Sequence, residues 1–509
     1  MAPVACTVAL AAFWIVPSIH RNASLAWSLA AAVAVLVVWE CALWLRARAS
    51  ERRLRIDIVL RQQHYLQACA QASVLLYWGW YWRPVYDQAP LIAAQLLFGY
   101  AFHMLLTLSR RDTYVFGFGP VPIILGINLF LWFTPEWFLL QLLMIAVGFA
   151  AKEFLTWEKG GRRVHIFNPS SFPLALCSLV LIVTSTTHHT LGQEIATTLD
   201  IPPYIALWIF LAALPGQYVF GVTSMTMSAV VTLFTLGQAY FWATGTYFFI
   251  DSHIPAAVFL GMHLLFTDPS TSPRTGVGRV VFGVMYALSV AALYAGLDAL
   301  GAPTFYDKLL AVPLLNLTIQ WLDQLARSDR LERRRPDMIG LRAPPRRTLA
   351  YMSAWALTFL LISASEGVGD VRQSRGVPLW QRACSQGRSG ACKVLATILT
   401  QHCVEGSAWA CNELGVLTTD GEGSSPLAAS DSFRRSCALG LAAGCNNERR
   451  RADGPRSWQR PPPSPADYVI LLQTEARGET LMGNGPRALL DRACSQGWAD
   501  ACRDHPAAR

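Results

Sequence analysis

Charged residues are scarce in this chain: they make up 15% of its 509 residues, against 53% hydrophobic residues. This balance excludes an ordinary soluble protein, which needs more charge on its surface. Apolar runs near 20 residues recur along the chain, and a membrane-spanning helix has that length. The net charge of +9 comes without a nucleic-acid recognition motif, which argues against nucleic acid as a partner. We therefore predict a polytopic membrane protein.

Several redox signatures are also missing. The sequence has no glycine-rich dinucleotide fingerprint, no dehydrogenase domain and no set of cysteines spaced for an iron–sulfur cluster. The chain could not oxidise a nicotinamide cofactor alone, so a redox role would require partner subunits. We assign no catalytic residue and no metal ligand, and enzymatic activity is left open.

The predicted organisation is all-α, with a helical membrane domain followed by a soluble α-solenoid. We count about 13 apolar runs that could span a bilayer. The first spans lie in residues 1–89 and the main membrane domain in 90–327. An Arg-rich linker follows at 328–348, then a final span at 349–364 and a tail at 367–509.

Basic residues indicate the orientation. They cluster in loops on one side of the predicted bilayer, at residues 46–61, 110–111, 152–163, 274–279 and 327–347. Cytoplasmic loops of membrane proteins carry such an excess of Lys and Arg. We therefore expect a bacterial-type inner membrane protein with a cytoplasmic amino terminus and a periplasmic or extracellular tail. The short runs Val4–Ile19 and Ile254–Phe266 could be re-entrant instead.

Two proline-broken polar stretches interrupt the apolar runs: Phe266–Arg279, which contains Asp268-Pro269, and His165–Pro173, which contains Asn168-Pro169. A carboxylate at Asp268 would be costly in hydrocarbon unless it faced protein, water or a ligand. Proline removes a backbone donor and stops a helix, and irregular backbone at membrane depth needs protein or water to satisfy it. We therefore expect both stretches to hold something polar.

These stretches carry a family resemblance. Phe167-Asn168-Pro169, Thr267-Asp268-Pro269-x-x-Ser272-Pro273 with Gly278-Arg279, and Leu315-Asn316 with Trp321-Leu322-Asp323 are similar to motifs of one membrane family. That family contains the D subunit of the Rnf electron-transport complex and the B subunit of the sodium-pumping NADH:quinone oxidoreductase. The resemblance covers residues 90–327. It implies a flavin-carrying subunit that passes electrons within an ion-coupled complex.

The resemblance also implies FMN, which this family attaches to a threonine of a Ser/Thr-Gly-Ala-Thr motif. That motif is absent here, and the nearest match is Ala196-Thr197-Thr198. A non-covalent flavin would instead need polar donors near its phosphate. The candidate cofactor-binding residues are Asn168, Ser170, Thr197, Thr267, Asp268, Ser270, Thr271, Arg274 and Arg279. The alternative is that they cap broken helices and follow the charge rule for loops.

The tail holds eight of the twelve cysteines, in four copies of Cys-x-x-Gly-x4-Cys. The copies pair Cys384 with Cys392, Cys403 with Cys411, Cys437 with Cys445, and Cys494 with Cys502. The pattern resembles the cysteine-rich Sel1 repeat, a helix–turn–helix unit. Independent pairs eight residues apart favour disulfides over a zinc site, and metal ligation or free thiols are the alternatives. Arg449–Asp467, with three consecutive prolines, reads as a loop insertion.

Two functions from different classes follow. The first is an electron-transport subunit that resembles the Rnf and sodium-pump subunits. The second is a transporter, channel or scaffold without a cofactor, which recruits an extracytoplasmic protein partner through the stacked repeats of its tail. The four cysteines outside the tail, Cys6, Cys41, Cys69 and Cys177, lie in apolar runs and are expected to be buried.

Overall fold

The computed structural model describes two compact units, and the chain passes between them more than once. Residues 2–235 and 254–365 form the first unit, and residues 236–253 and 366–509 form the second. The structure describes residues 2–158, 161, 163–249, 252–326, 345–365, 367–369, 376–388, 390–419, 427–450, 458–472, 486–495 and 497–503. Most of the predicted Arg-rich linker, residues 327–344, and Arg162 lie outside the described residues.

The first unit is mainly helical. Its helices are α1 (Ala2–Ala12), α2 (Pro17–His20), α3 (Ala23–Ala49), α4 (Gln62–Tyr81), α5 (Pro84–Asp87), α6 (Ala89–Arg110), α7 (Pro120–Asn128), α8 (Phe138–Phe154), α9 (Ser171–Val183), α10 (Gly192–Thr198), α11 (Ile205–Phe220), α12 (Thr223–Thr244), α13 (Ala256–Leu260), α14 (Gly276–Ala299), α15 (Asp307–Asn316), α16 (Ile319–Ala326) and α17 (Pro345–Ala364). A π-helical turn, Gly261–Leu265, extends α13. The second unit begins within α12, at Leu236.

Four helical segments are long and apolar enough to cross a membrane by length and composition: Ala23–Ala49, Ala89–Arg110, Pro135–Phe154 and Gly276–Ala299. Five shorter apolar helical segments of 10 to 17 residues accompany them in the first unit. The helical class and the membrane-length helices agree with the sequence prediction. The count of about 13 spans stays a prediction, because a shorter helix needs a second segment to cross hydrocarbon near 30 Å thick.

Buried amide side chains mark where predicted runs break. The apolar sequence Phe118–Phe133 is helical only as α7, which ends at Asn128. The Asn128 side chain is 1% exposed and donates to Gln95 Oε1 at 2.7 Å and to the Ile124 carbonyl at 2.8 Å. The apolar sequence Tyr306–Leu325 is likewise split into α15 and α16, with buried Asn316 at the end of α15. Each amide satisfies polar groups at a helix end, as buried helix ends require.

Short strands fix the loops that carry basic residues. β1 (Arg55–Ile58) pairs in parallel with β2 (Thr113–Phe116), and β3 (Thr156–Glu158) pairs antiparallel with β4 (Arg163–His165). The Arg52 side chain lies 2.7 Å from Asp112 Oδ1 beside the first pair. These ladders hold the loops after α3, α6 and α8 in defined positions, although the predicted all-α fold contains no strands.

The second unit contains short helices, most of which are linked to a neighbour by a disulfide. They are α18 (Val377–Ser385), α19 (Ala391–Val404), α20 (Ala408–Thr419), α21 (Ala429–Ala438), α22 (Ala442–Arg450), α23 (Pro465–Leu471), α24 (Pro486–Ser495) and α25 (Ala499–Arg503). Trp380, Leu399, Leu414, Tyr468 and Trp498 belong to its buried core.

All four predicted disulfides are confirmed, with Sγ–Sγ distances between 1.99 and 2.10 Å. The glycine three residues after the first cysteine of each pair has a positive φ, +66° at Gly387 and +105° at Gly406. A residue with a Cβ would be strained there, so glycine permits the tight turn between paired helices. The expected burial is wrong for Cys41 and Cys69, which are exposed on α3 and α4, helices that also expose large apolar side chains such as Trp44 and Leu76.

Candidate functional site

The three polar motifs of the sequence meet at one place in the first unit. The Asn168 side chain donates from Nδ2 to the Leu265 carbonyl at 2.8 Å, which joins the Asn-Pro stretch to the Asp-Pro stretch. Asn316 Oδ1 accepts from the Asn168 backbone amide at 3.0 Å, and Asn316 Nδ2 donates to the Thr271 carbonyl at 3.3 Å. Asn316 therefore connects both stretches. Since more than 90 residues separate the two stretches, and Asn316 lies 45 residues beyond Thr271, the fold alone brings the three motifs together.

Asn168 also sets where α9 begins. Its Oδ1 accepts from the backbone amides of Ser170 at 2.9 Å and Ser171 at 3.1 Å. A helix start leaves such amides without partners inside the helix, and a side-chain oxygen satisfies them. Pro169 follows Asn168 and cannot donate, so the side chain of Asn168 replaces the interrupted backbone bonding at this turn.

Asp268 is held by donors on both oxygens. Oδ1 accepts from the Ser270 amide at 3.0 Å, and Oδ2 accepts from Thr271 Oγ1 at 3.3 Å. His165 Nε2 lies 3.2 Å from the same Oδ2. Burial by itself would raise the pKa of Asp268, but the His165 contact and the Ser270 amide lower it below its ordinary value. The carboxylate is therefore anionic at neutral pH.

The basic residues of the Asp-Pro stretch have structural contacts. Arg279 donates from Nε to the Pro273 carbonyl at 3.0 Å and from its guanidinium to the Gly221 carbonyl at 2.5 Å. The Arg274 backbone amide donates to Asp323 Oδ1 at 2.8 Å. These bonds fix the turn before α14, as the alternative reading of capping residues predicts.

A cavity of about 330 Å³ opens beside these motifs. The amino-terminal ends of α4, α7 and α9 border it, through residues that include Gln63, Gly119 and Ser170. The partial positive charge of a helix amino terminus favours an anion. The carboxyl-terminal ends of α6 and α8 also reach the cavity, and they bring charged side chains.

The charge on the cavity wall is mainly positive. Five cationic side chains line the cavity, with two carboxylates, Glu153 and Asp268. The cationic residues are Arg61, Arg110, Arg111, Lys152 and Arg163. Glu153 Oε1 lies 2.5 Å from Arg111 and 3.8 Å from Arg110, so it offsets part of that charge. The wall keeps a surplus of cations and helix amino termini, which together suit a multiply charged anion.

Lys152 is one of the cavity cations that the described residues leave available to a ligand. Its side chain is half-buried and forms no hydrogen bond or close ion pair with any residue in the described part of the chain. A lysine that lacks a neighbouring carboxylate contact retains its donors for another acceptor. It lies one residue before Glu153, whose carboxylate is bonded to arginine.

The positive charge of the cavity wall also affects the pKa of His64. His64 lines the cavity and precedes the apolar sequence Leu66–Trp82. Burial, followed by the charges of Lys152 and Arg61, lowers the pKa of His64 to about 4. The imidazole is therefore neutral at pH 7. An anion in the cavity would offset the two cations and raise this pKa again.

The predicted site residues divide into three groups. Asn168, Ser170, Asp268 and Ser270 line the cavity. Thr267, Thr271, Arg274 and Arg279 belong to the adjoining turn but are not on its wall; Thr267 Oγ1, for example, donates to the His263 carbonyl at 2.6 Å. Thr197 lies on α10, where its hydroxyl donates to the carbonyls of Gln193 and Glu194 at 3.1 Å.

Sequence reasoning missed the residues that give the cavity its charge. In the sequence, Lys152, Arg61 and the Arg110-Arg111 pair were interpreted only as basic loop residues that determine the orientation of the chain in the bilayer. His64 was not identified as a candidate. Each follows or precedes an apolar run in a different helix, so sequence spacing gives no sign that they converge. One usable signal was the position of Lys152 within the last turn of a helix, where a cation at this depth suggests an acceptor.

Comparisons with known proteins add no assignment. No protein-family model matches the chain, and neither a curated protein nor a solved structure does. The Rnf and Sel1 resemblances therefore stay predictions made from motifs.

Proposed function

We propose that this chain is an integral membrane subunit that binds a phosphate-bearing cofactor, FMN in the first instance, and passes electrons in an ion-coupled complex. The carrying observation is the cationic cavity beside the Asn-Pro and Asp-Pro motifs. Arginine, lysine and helix amino termini are the groups that proteins use to hold phosphate. The five cations belong to loops predicted to be cytoplasmic, so the ligand enters from the cytoplasm.

The cavity is compatible with the phosphate-bearing part of a flavin. Its volume lies at the lower end of the roughly 300–1,000 Å³ typical of small-molecule pockets. Lys152 and Arg163 would hold the phosphate, Ser170 and Ser270 would donate to neighbouring oxygens, and Ile123 and Phe220 would contact apolar parts of the ligand. A bound flavin would supply the redox chemistry, while these residues position it and exclude water.

Covalent attachment through Thr197 is not part of the proposal. Thr197 is on α10, its hydroxyl bonds to the backbone of its own helix, and it does not line the cavity. The missing Ser/Thr-Gly-Ala-Thr motif agrees with this choice. The flavin would be held by non-covalent contacts.

A second candidate is a transporter of a phosphate-bearing anion without a cofactor. The observation that favours it is the set of short helices beside the cavity. The nine-residue α7 and the thirteen-residue α9 both begin at its wall. In many transporters, broken helices present their amino termini to an anionic substrate within the membrane. In either case, the disulfide-linked helices of the tail would serve as the surface for an extracytoplasmic protein partner.

The test compares FMN with riboflavin, which lacks the phosphate. The full chain is purified in detergent, its visible spectrum is recorded, and both ligands are titrated by equilibrium dialysis. We expect FMN to bind at least tenfold more tightly than riboflavin. Lys152→Met should remove most of that preference, because it removes an unbonded cation from the wall. Arg55→Met is the matched control, since Arg55 is exposed on β1 and is not on the cavity wall.

The outcomes separate the two candidates. Equal binding of FMN and riboflavin, or a preference unaffected by Lys152→Met, contradicts the assigned phosphate site. A folded, colourless chain that binds inorganic phosphate but neither flavin supports the transporter. A folded chain that binds none of the three ligands refutes both.

A further inference from the structure

An extended segment of the tail, Trp458–Ser464, lies along the helices of the repeat stack. It has no helical or strand structure, and of its seven residues only Pro463 is buried. The residues beneath it are different: Asn412 and Asn447 are fully buried and Glu413 is 3% exposed. The stack therefore places buried polar groups under a surface segment. We call the face of α20, α21 and α22 beneath the segment the repeat groove.

The groove binds the main chain of the segment through asparagine side chains. Asn412 Nδ2 and Asn447 Nδ2 both donate to the Gln459 carbonyl at 2.9 Å, and Asn447 Oδ1 accepts from the Gln459 amide at 2.9 Å. Asn447 Nδ2 also donates to Asn412 Oδ1 at 2.9 Å, which fixes the pair. An amide side chain that bonds both backbone groups of one residue recognises the main chain of an extended peptide. The Gln459 side chain makes one further bond, accepted by its Oε1 from Asn446 Nδ2 at 2.9 Å.

Glu413 gives the groove its charge preference. Arg460 donates from Nε to the two carboxylate oxygens of Glu413 at 3.2 and 3.0 Å and pairs with it through a terminal nitrogen. The side chain of Arg460 is 54% exposed and that of Glu413 is 3% exposed. A buried carboxylate is costly without a partner, so the groove needs a guanidinium at this position. A cavity of about 80 Å³ adjoins the pair.

Two further contacts define the ends of the recognised sequence. The Trp458 ring stacks on Phe433 with centroids 5.5 Å apart, and Trp409 Nε1 donates to the Pro461 carbonyl at 3.0 Å. Proline favours the extended polyproline II conformation and adds no unpaired amide. The groove thus recognises an aromatic residue, one extended residue, arginine and proline in succession.

We propose that the repeat groove is a binding site for an extended aromatic-x-Arg-Pro segment of a partner protein, and that Trp458–Ser464 is an internal ligand which competes for it. The buried Asn412, Glu413 and Asn447 lose their partners when the segment leaves, so only a ligand with the same main-chain and cationic groups can replace it. The partner segment displaces the internal one by making equivalent bonds. This deepens the partner-binding role proposed for the tail and does not depend on the ligand of the membrane unit.

The test uses a labelled heptapeptide with the sequence of residues 458–464, acetylated and amidated, titrated by fluorescence anisotropy into the full chain. Arg460→Met weakens the internal segment and leaves Glu413 free to bind the peptide. We expect the peptide to bind this variant at least tenfold more tightly than the unaltered chain. Replacing the peptide arginine by methionine, or adding Glu413→Gln to the variant, should abolish that gain.

Arg434→Met is the matched control, because Arg434 is an exposed arginine of the same helices whose carboxylate partners are Asp431 and Glu448. It should leave peptide affinity unchanged. A second measurement needs no variant: millimolar peptide should accelerate hydrogen exchange of the Gln459 amide, which bonds to Asn447, in the unaltered chain, and the methionine peptide should not. Unchanged exchange, or binding that ignores the peptide arginine, overturns the proposal. A chain that binds the peptide but no flavin contradicts only the cofactor proposal.

Discussion

Replacing Asn168 by alanine should destabilise the first unit more than the loss of an ordinary helix cap. The side chain makes three hydrogen bonds, two accepted from the amides that start α9 and one donated to the Leu265 carbonyl. The residue is 3% exposed, so water cannot replace these bonds. At about 1 kcal/mol per bond, with a further cost for buried groups left unpaired, we expect Asn168→Ala to lower the free energy of unfolding by about 3–5 kcal/mol.

Asn22 provides the matched control. It accepts from the amides of Ser24 at 3.0 Å and Leu25 at 3.2 Å at the start of α3, and no bond from its side chain to another described element accompanies them. Asn22→Ala removes a cap alone and should cost about 1 kcal/mol. Asn168→Asp keeps both acceptors but places a carboxylate oxygen against the Leu265 carbonyl. Its cost should fall between those of the two alanine variants.

The assay follows thiol labelling during thermal unfolding. Cys177 lies on α9, directly after the Asn168 turn, and it is half-buried. Exposed Cys41 and Cys69 are first replaced by serine, and the tail cysteines are disulfide-bonded. Mass spectrometry then locates the label on Cys177 at each temperature. If Asn168→Ala shifts the labelling midpoint no further than Asn22→Ala does, the hydrogen bond to the Leu265 carbonyl adds nothing to the stability of the first unit, and the prediction is wrong.

Three other predictions follow from individual contacts. Gly283→Ala should lower the thermal midpoint, since a Cβ there would lie 2.2 Å from a backbone oxygen of α12, whereas Gly296→Ala on the same helix meets nothing within 4 Å and should be neutral. The pKa of His64 is near 4 in the folded chain, against about 6.5 in the unfolded chain. The unfolded chain therefore binds the proton first, and the stability of the ligand-free protein should fall as pH drops from 6.5 to 4. His64→Phe should flatten that part of the curve of thermal midpoint against pH. Replacing both cysteines of the buried Cys403–Cys411 pair by serine should lower the free energy of unfolding by about 2–3 kcal/mol, because the unfolded chain gains loop entropy. The same change at the half-exposed Cys437–Cys445 pair should lower it by less, as measured by denaturant unfolding of the tail in the full chain.

Local sequence signals predicted the tail well. Each cysteine pair is eight residues apart, with a glycine between its members, so one short turn determines the pairing. The predicted loop insertion at 449–467 includes the segment that lies in the repeat groove. The surface that this segment binds could not be predicted, because Asn412 and Asn447 lie within ordinary helices and no pattern in the sequence links them to Gln459.

In the first unit, hydropathy predicted where apolar helices lie but not the residues at which they end. The Asn-Pro and Asp-Pro stretches were identified as polar breaks from their prolines and their charge. Their meeting depends on Asn316, which lies in a third helix and bonds to both. The cavity charge was invisible for the same reason: Lys152 and Arg61 reach one place only after their helices pack.

The first unit uses uncharged asparagine side chains at buried helix ends, in keeping with the low charge content of the sequence. A helix that ends in a buried environment needs both a donor for its last carbonyls and an acceptor for its first amides. An amide side chain supplies both without a net charge, whereas aspartate or lysine would add a desolvation cost. Asn128, Asn168 and Asn316 all occupy such ends and are at most 3% exposed. Because asparagine satisfies these buried ends, the cations at the carboxyl-terminal ends of α6 and α8, such as Arg110 and Lys152, line the cavity instead. A bound anion would offset their charge.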